Sequence, residues 1–163
     1  MRTGTRTQCK RRWSLRGHRP CCRMKLGYEF CYLYTALCPA TGHLIALILP
    51  DMTKESFCLF CSYFSEQVKQ SGSEAPVLLI ADGAGAHQRD ACLQKGITLQ
   101  HLPTACPELN PVERFFEELR QEMSNIIYQS IDQVEDHLSQ ILQKYFHQKN
   151  KIIQLSNFPY IRT

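Results

Sequence analysis

"VLLIADGAGAH", residues 77 to 87, decides how the rest of the chain is read. Its five uninterrupted apolar residues have the pattern of a strand covered on both faces. Asp82 stands directly at the carboxyl end of that strand, where ligands gather in open α/β sheets. The glycines that follow, Gly83 and Gly85, are read as letting the backbone turn sharply. An Asp-Gly after a strand is also an ordinary turn, so Asp82 taken alone assigns nothing.

Downstream, a short helix around 87–94 leads through Gly96 to a second strand, "ITLQHL" (97–102), and then to the loop "PTACPELN". A helix follows. Asn110 suits its N-cap, Pro111 its first position and Glu113 its third, where a carboxylate folds back onto free backbone N–H groups. Val112, Phe115, Phe116, Leu119, Met123, Ile126 and Ile127 keep one face over four turns. Ile131, Val134, Leu138, Ile141, Leu142, Tyr145 and Phe146 mark another helix. Upstream, "EFCYLYTAL" (29–37) and "HLIALIL" (43–49) flank the turn "CPATG" as a β-hairpin. Phe57, Phe60, Cys61, Phe64 and Val68 give residues 53–69 helical spacing, and "SGSEAP" breaks the chain before residue 77. Hairpin, helix, strand, helix, strand, helix, helix is an α/β order, with a mixed sheet and helices on both faces.

The 163 residues, 44% apolar and 21% charged, fit one domain with a real core. "LIALIL" is too short to span a bilayer, and no apolar segment follows the basic start, so a cytoplasmic protein with no membrane partner is expected. The nine cysteines are scattered and odd in number, which argues against a disulfide framework and for mostly buried thiols. Cys58 and Cys61 sit in a helical stretch with no second ligand pair, against structural zinc. The net charge of +4 hides an asymmetry, since residues 1–28 carry Lys and Arg throughout and neither Asp nor Glu. That run is either a solvated face or a polyanion-binding segment, with Arg6, Lys10, Arg11, Arg12 and Arg16 as candidate DNA contacts. Trp13 either stacks on a base or fixes a hairpin in the core.

Glu113 lies 31 positions beyond Asp82, at the start of the helix after the next strand. Carboxylates so placed can share divalent ions, and paired Mg²⁺ or Mn²⁺ ions about 4 Å apart activate a nucleophile in phosphodiester displacement. Glu117, one turn later, is placed to assist.

"LLIADGAGAH" followed by "LQHLPTACPELNPVERFFEELR" resembles the catalytic core of mariner-like bacterial insertion-sequence transposases, members of the DDE endonuclease superfamily. "GTRTQCKRRWSLRGHRP" extends the likeness toward the amino terminus. The resemblance implies a ribonuclease H-like mixed sheet flanked by helices, lacking its first strand, and metal-dependent DNA strand cleavage and strand transfer. It makes Asp82 the second acidic ligand of a Mg²⁺ or Mn²⁺ centre and Glu113 the third, with His87, Asn110 and Glu117 as accessory candidates. His87 equally suits a helix start or a core position. Ala86 replaces the family's usual Trp, and Cys106 its usual Ser. The family's first aspartate closes a strand that would precede Met1, and Asp51 belongs to the turn into the following helix rather than to that role. The expectation is therefore an impaired transposase domain, whose "VLLIA" strand has an unpaired edge and whose partner is double-stranded DNA at transposon ends and target. An upstream reading frame cut off by a frameshift or a misplaced start would supply the missing strand. The alternative is a non-catalytic DNA-binding or dimerising remnant that pairs with itself or with a full-length transposase.

Overall fold

The computed structural model describes residues 1–72 and 76–158. Strands β1 (Arg2–Gly4), β2 (Phe30–Leu37) and β3 (Leu44–Leu49) form an antiparallel sheet in that order. Strict alternation along β2 and β3 builds two cores. Cys31, Leu33, Leu37, Leu44, Ala46 and Ile48 enter one, whereas Tyr32, Tyr34, Ala36, Ile45, Leu47 and Leu49 enter the other. The hairpin thus falls where its composition places it, with Tyr32 opposite Leu49 and Leu37 opposite Leu44.

No apolar pattern announces β1. It exists because backbone groups pair: the Met1 amine donates to the Leu33 carbonyl at 2.6 Å, and the Leu33 N–H donates to the Met1 carbonyl at 2.8 Å. Gly4 is required at its end, because a Cβ there would lie 2.1 Å from the Glu29 carbonyl.

Helix α1 (Lys54–Gln70) is capped by Thr53, whose hydroxyl accepts from the Ser56 N–H at 3.2 Å. The Asp51 carboxylate accepts from both the Thr53 and Ser56 hydroxyls, so Asp51 serves the helix entry. Phe57, Phe60, Cys61 and Phe64 are buried beneath α1. Strand β4 (Val77–Ala81), helix α2 (Arg89–Leu93) and strand β5 (Ile97–His101) follow, with β4 and β5 parallel from Val77 opposite Ile97 to Ala81 opposite His101. Residues 73–75 of the "SGSEAP" break lie outside the described residues.

A single 3₁₀ turn (Pro107–Leu109) precedes α3 (Val112–Glu122), and α4 (Ile131–Phe146) and α5 (Lys149–Ser156) complete the order. The three pack on one face of the antiparallel sheet around Leu33, Phe115, Leu119, Leu138, Ile141 and Ile152. α5 is not visible as a separate period in the sequence. α3 is a turn shorter than its apolar stripe. Met123 is its C-cap, and Asn125 takes a left-handed φ of 61°, leaving Ile126 and Ile127 in the linker.

Two expectations need correction. β4 is not covered on both faces: Val77, Leu79 and Ala81 meet the α1 core, but Leu78 is 59% and Ile80 49% exposed. An uninterrupted apolar run cannot report which face its neighbours cover, and α3–α5 gather over the other sheet. Nor are most cysteines buried. Cys31, Cys61 and Cys92 are, while Cys9, Cys21 and Cys38 are exposed and Cys22, Cys58 and Cys106 intermediate.

The two sheets share no ladder, and α1 joins them by packing against both. Among the described residues β4 pairs only with β5, and β1 spans only residues 30–32 of the β2 edge. β4 therefore has the open edge expected of it.

Candidate functional site

Asp82 leaves β4 at the carboxyl end of the strand and is held by its own turn. Its Oδ1 accepts from the Ala84 N–H at 3.2 Å and meets His87 Nδ1 at 2.7 Å. The turn closes through the His87 N–H on the Ala84 carbonyl at 2.9 Å. Gly83 and Gly85 do not contribute left-handed geometry. Neither has positive φ, and a Cβ at either would meet nothing within 4 Å, so the turn rests on the Asp82 side-chain contacts with Ala84 and His87 and on the His87–Ala84 backbone bond rather than on glycine.

His87 is rigidly seated. Its ring lies 4.8 Å from that of Phe57 on α1, and its carbonyl is 3.0 Å from His101 Nε2 at the end of β5. Burial pulls the imidazole pKa down, but the Asp82 carboxylate more than offsets this, leaving a net rise above 6.5. The His87 hydrogen bond in turn holds Asp82 below the usual carboxylate value.

Glu113 sits in the first turn of α3. Asn110 performs the capping, its Oδ1 accepting from the Val112 N–H at 3.3 Å and its carbonyl from the Glu113 N–H at 3.1 Å. The carboxylate does not fold back onto the helix start. It points along the helix to Arg120, 3.7 Å away and two turns on, where both side chains are 37% exposed. That partner was legible as a seven-residue spacing on one helix face, and sequence reasoning missed it. Glu117 is exposed on the same helix.

Asp82 and Glu113 come from different elements, and the charge of each is felt at the Met1 amine. The Met1 amine is lowered to about 6, first by burial, against which the charges of Glu113 and Asp82 raise it. Among the described residues no group of three or more His, Cys, Asp or Glu side chains is arranged to hold a metal ion. Each acid is engaged by a basic side chain, Asp82 by His87 and Glu113 by Arg120. The two carboxylates have the right donor chemistry, but this set as it stands does not fit a two-metal centre.

The basic segment is built as an exposed arm. Its base is tied by the Thr5 N–H to the Glu29 carbonyl at 3.0 Å and the Thr7 N–H to the Lys25 carbonyl at 3.1 Å, with Gly27 against Thr5 where a Cβ would not fit. Arg6, Lys10, Arg11, Arg12 and Arg16 are exposed, and Trp13 is fully exposed, which rules out its use as a core anchor.

Residues 1–135 match the family model described as DDE superfamily endonuclease. The chain belongs to that family. The chain is 31% identical over 126 residues to the uncharacterised protein y4pE/y4sA of Sinorhizobium fredii (strain NBRC 101917 / NGR234), covering 76% of this chain and 91% of that one. Its fold matches that of the Mos1 transposase in a paired-end complex with the left transposon end. The TM-score is 0.68 at 12% identity, over 94% of this chain and 50% of the Mos1 chain. The fold is accordingly ribonuclease H-like, and the chain spans about half the length of that solved structure. No helix among the described residues is long and apolar enough to cross a membrane.

Proposed function

We propose that residues 1–163 are one partial transposase catalytic domain for DNA transposition. Its ancestral chemistry is cleavage of DNA strands at element ends and transfer of the freed 3′ hydroxyl to target DNA, and these residues alone perform it weakly or not at all. What supports this reading is the match of residues 1–135 to the DDE superfamily endonuclease model, together with Asp82 at the carboxyl end of β4 and Glu113 in the first turn of α3. In the family's reaction a Mg²⁺ or Mn²⁺ pair supplies the Lewis acid and the activated nucleophile. Asp82 and Glu113 supply two carboxylates of the kind that would hold such ions, each now engaged by a neighbouring basic side chain, His87 or Arg120. The chain's own contribution is to orient Asp82 through His87 and Phe57, and Glu113 through Asn110 and Arg120. The proposed partner is duplex DNA at element ends and target, and the proposed compartment is the cytoplasm.

Supercoiled plasmid incubated with the chain and Mg²⁺ or Mn²⁺ is expected to stay intact. Robust nicking abolished by Glu113→Gln would overturn the proposed impairment.

The exposed arm favours a second reading, a non-catalytic remnant that binds DNA or joins a second copy or a full-length transposase. Its test is salt dependence. Phosphate contacts release counterions, so affinity for duplex DNA should fall steeply between 50 and 200 mM salt. A flat response would leave the arm without a nucleic-acid role.

A further inference from the structure

The arm carries a feature that DNA contact does not use. Cys9 and Cys22, thirteen residues apart on its two sides, hold their sulfurs 3.8 Å from each other. The Cys22 thiol also donates to Asn125 Oδ1 at 3.7 Å. That same oxygen accepts from the Lys10 N–H at 3.2 Å, the Asn125 carbonyl accepts from Arg12 at 3.3 Å, and the Asn125 N–H donates to the Gln8 carbonyl at 2.8 Å. The left-handed residue after α3 is thus the dock for the arm, and the thiol pair sits on that dock. Between the two cysteines lie Lys10, Arg11, Arg12, Arg16 and Arg19, together with Trp13. Cys9 is exposed and Cys22 partly so, which leaves the pair accessible to small reagents. The buried pair Cys61 and Cys92, with sulfurs 3.4 Å apart, is closer but lies inside the α1 core, where no reagent reaches it.

We propose that Cys9 and Cys22 form a reversible disulfide, made by exchange with a low-molecular-weight disulfide, that clamps the two sides of the basic arm and strengthens its hold on polyanions. The exchange balances. The Cys22 thiolate attacks one sulfur of the small disulfide, forming a mixed disulfide and releasing one small thiolate. The Cys9 thiolate then displaces the second. Two protein thiols lose two protons and two electrons, and the small disulfide is reduced to two thiols. The hydrogen bond with Cys22 pushes the Cys9 thiol up, and because the thiolate is the nucleophile, exchange accelerates as pH rises. Closing the loop removes freedom that the arm would otherwise lose on binding, which favours the clamped form for DNA. This second half rests on the proposed DNA role of the arm.

The test uses the whole chain with oxidised glutathione. Intact mass and peptide mapping should show a Cys9–Cys22 bond, a loss of two hydrogens and full reversal by dithiothreitol. Cys9→Ser and Cys22→Ser should abolish the bond, while Cys21→Ser leaves it in place. Fluorescence anisotropy with a random duplex should then show several-fold tighter binding for the oxidised wild type than for the reduced form, and no redox response in Cys9→Ser. Glutathione adducts without a Cys9–Cys22 bond would overturn the site, and a bond formed with equal affinity in both states would overturn the clamp. Failure of the DNA role is separately visible, as salt-independent binding of the reduced protein.

Discussion

Asp82 and His87 make a pair whose pH response has a definite sign. Asp82 lies below its ordinary 3.8 in the folded chain, so its stabilisation is present above that value and is lost as pH falls through the folded pKa. His87 lies above 6.5, so its share is present below 6.5 and is lost as pH rises through the folded pKa. The pair therefore contributes most between about 4 and 6.5. Asp82 is 62% exposed, which limits the contribution to about 1 kcal/mol or less. Thermal melts against pH should show this increment in the wild type and lose it in Asp82→Asn and in His87→Ala. The same profile in all three proteins would mean that the bond is idle. Phe115 is a different kind of residue: fully buried, it meets the Tyr145 ring edge-on at 5.1 Å. Phe115→Ala should cost about 3–5 kcal/mol, read as a lower denaturation midpoint. A loss under about 1 kcal/mol would mean that the α3–α4 core is not packed as described.

The elements were legible where periodicity and covering agreed. The β2–β3 hairpin and α1 follow directly from alternation and from three-four spacing, because each has a neighbour on the face its pattern predicts. The end of α3 was not legible. The apolar stripe runs on to Ile127, but Asn125 adopts the left-handed conformation and gives its N–H to Gln8, so a distant segment ends the helix. β1 was hidden for the same reason, being three residues that depend on backbone pairing with β2. The site was half legible. The positions of Asp82 and Glu113 followed from strand end and helix start, but the Arg120 pairing and the Phe57 seat of His87 needed coordinates. The Asn125 dock yields a paired prediction. Asn125→Gly keeps the backbone conformation and should loosen only the arm, seen as faster amide exchange at Lys10. Asn125→Ala should lose the same contacts and, in addition, about 1 kcal/mol of global stability from the left-handed strain. Equal melting of the two variants would contradict a left-handed residue 125.

At the level of the whole molecule, the two sheets are joined by α1 and not by a ladder. Leu78 and Ile80 face outward from β4 over a region that α3–α5 leave uncovered. Replacing both with Lys should cost less than about 1 kcal/mol, because little burial is lost, whereas the same change at Leu79 should cost several. Urea titrations of the two variants beside the wild type check this. A large loss on changing Leu78 and Ile80 would mean that something covers them.

The open edge of β4 has a further consequence for handling the protein. Among the described residues no strand pairs with the outer edge of β4, and its N–H and C=O groups, flanked by outward leucine and isoleucine, are a template for any extended chain, including another molecule of the same protein. Concentrated preparations should scatter light increasingly with time, and short β-breaking peptides or mild chaotropes should slow that rise.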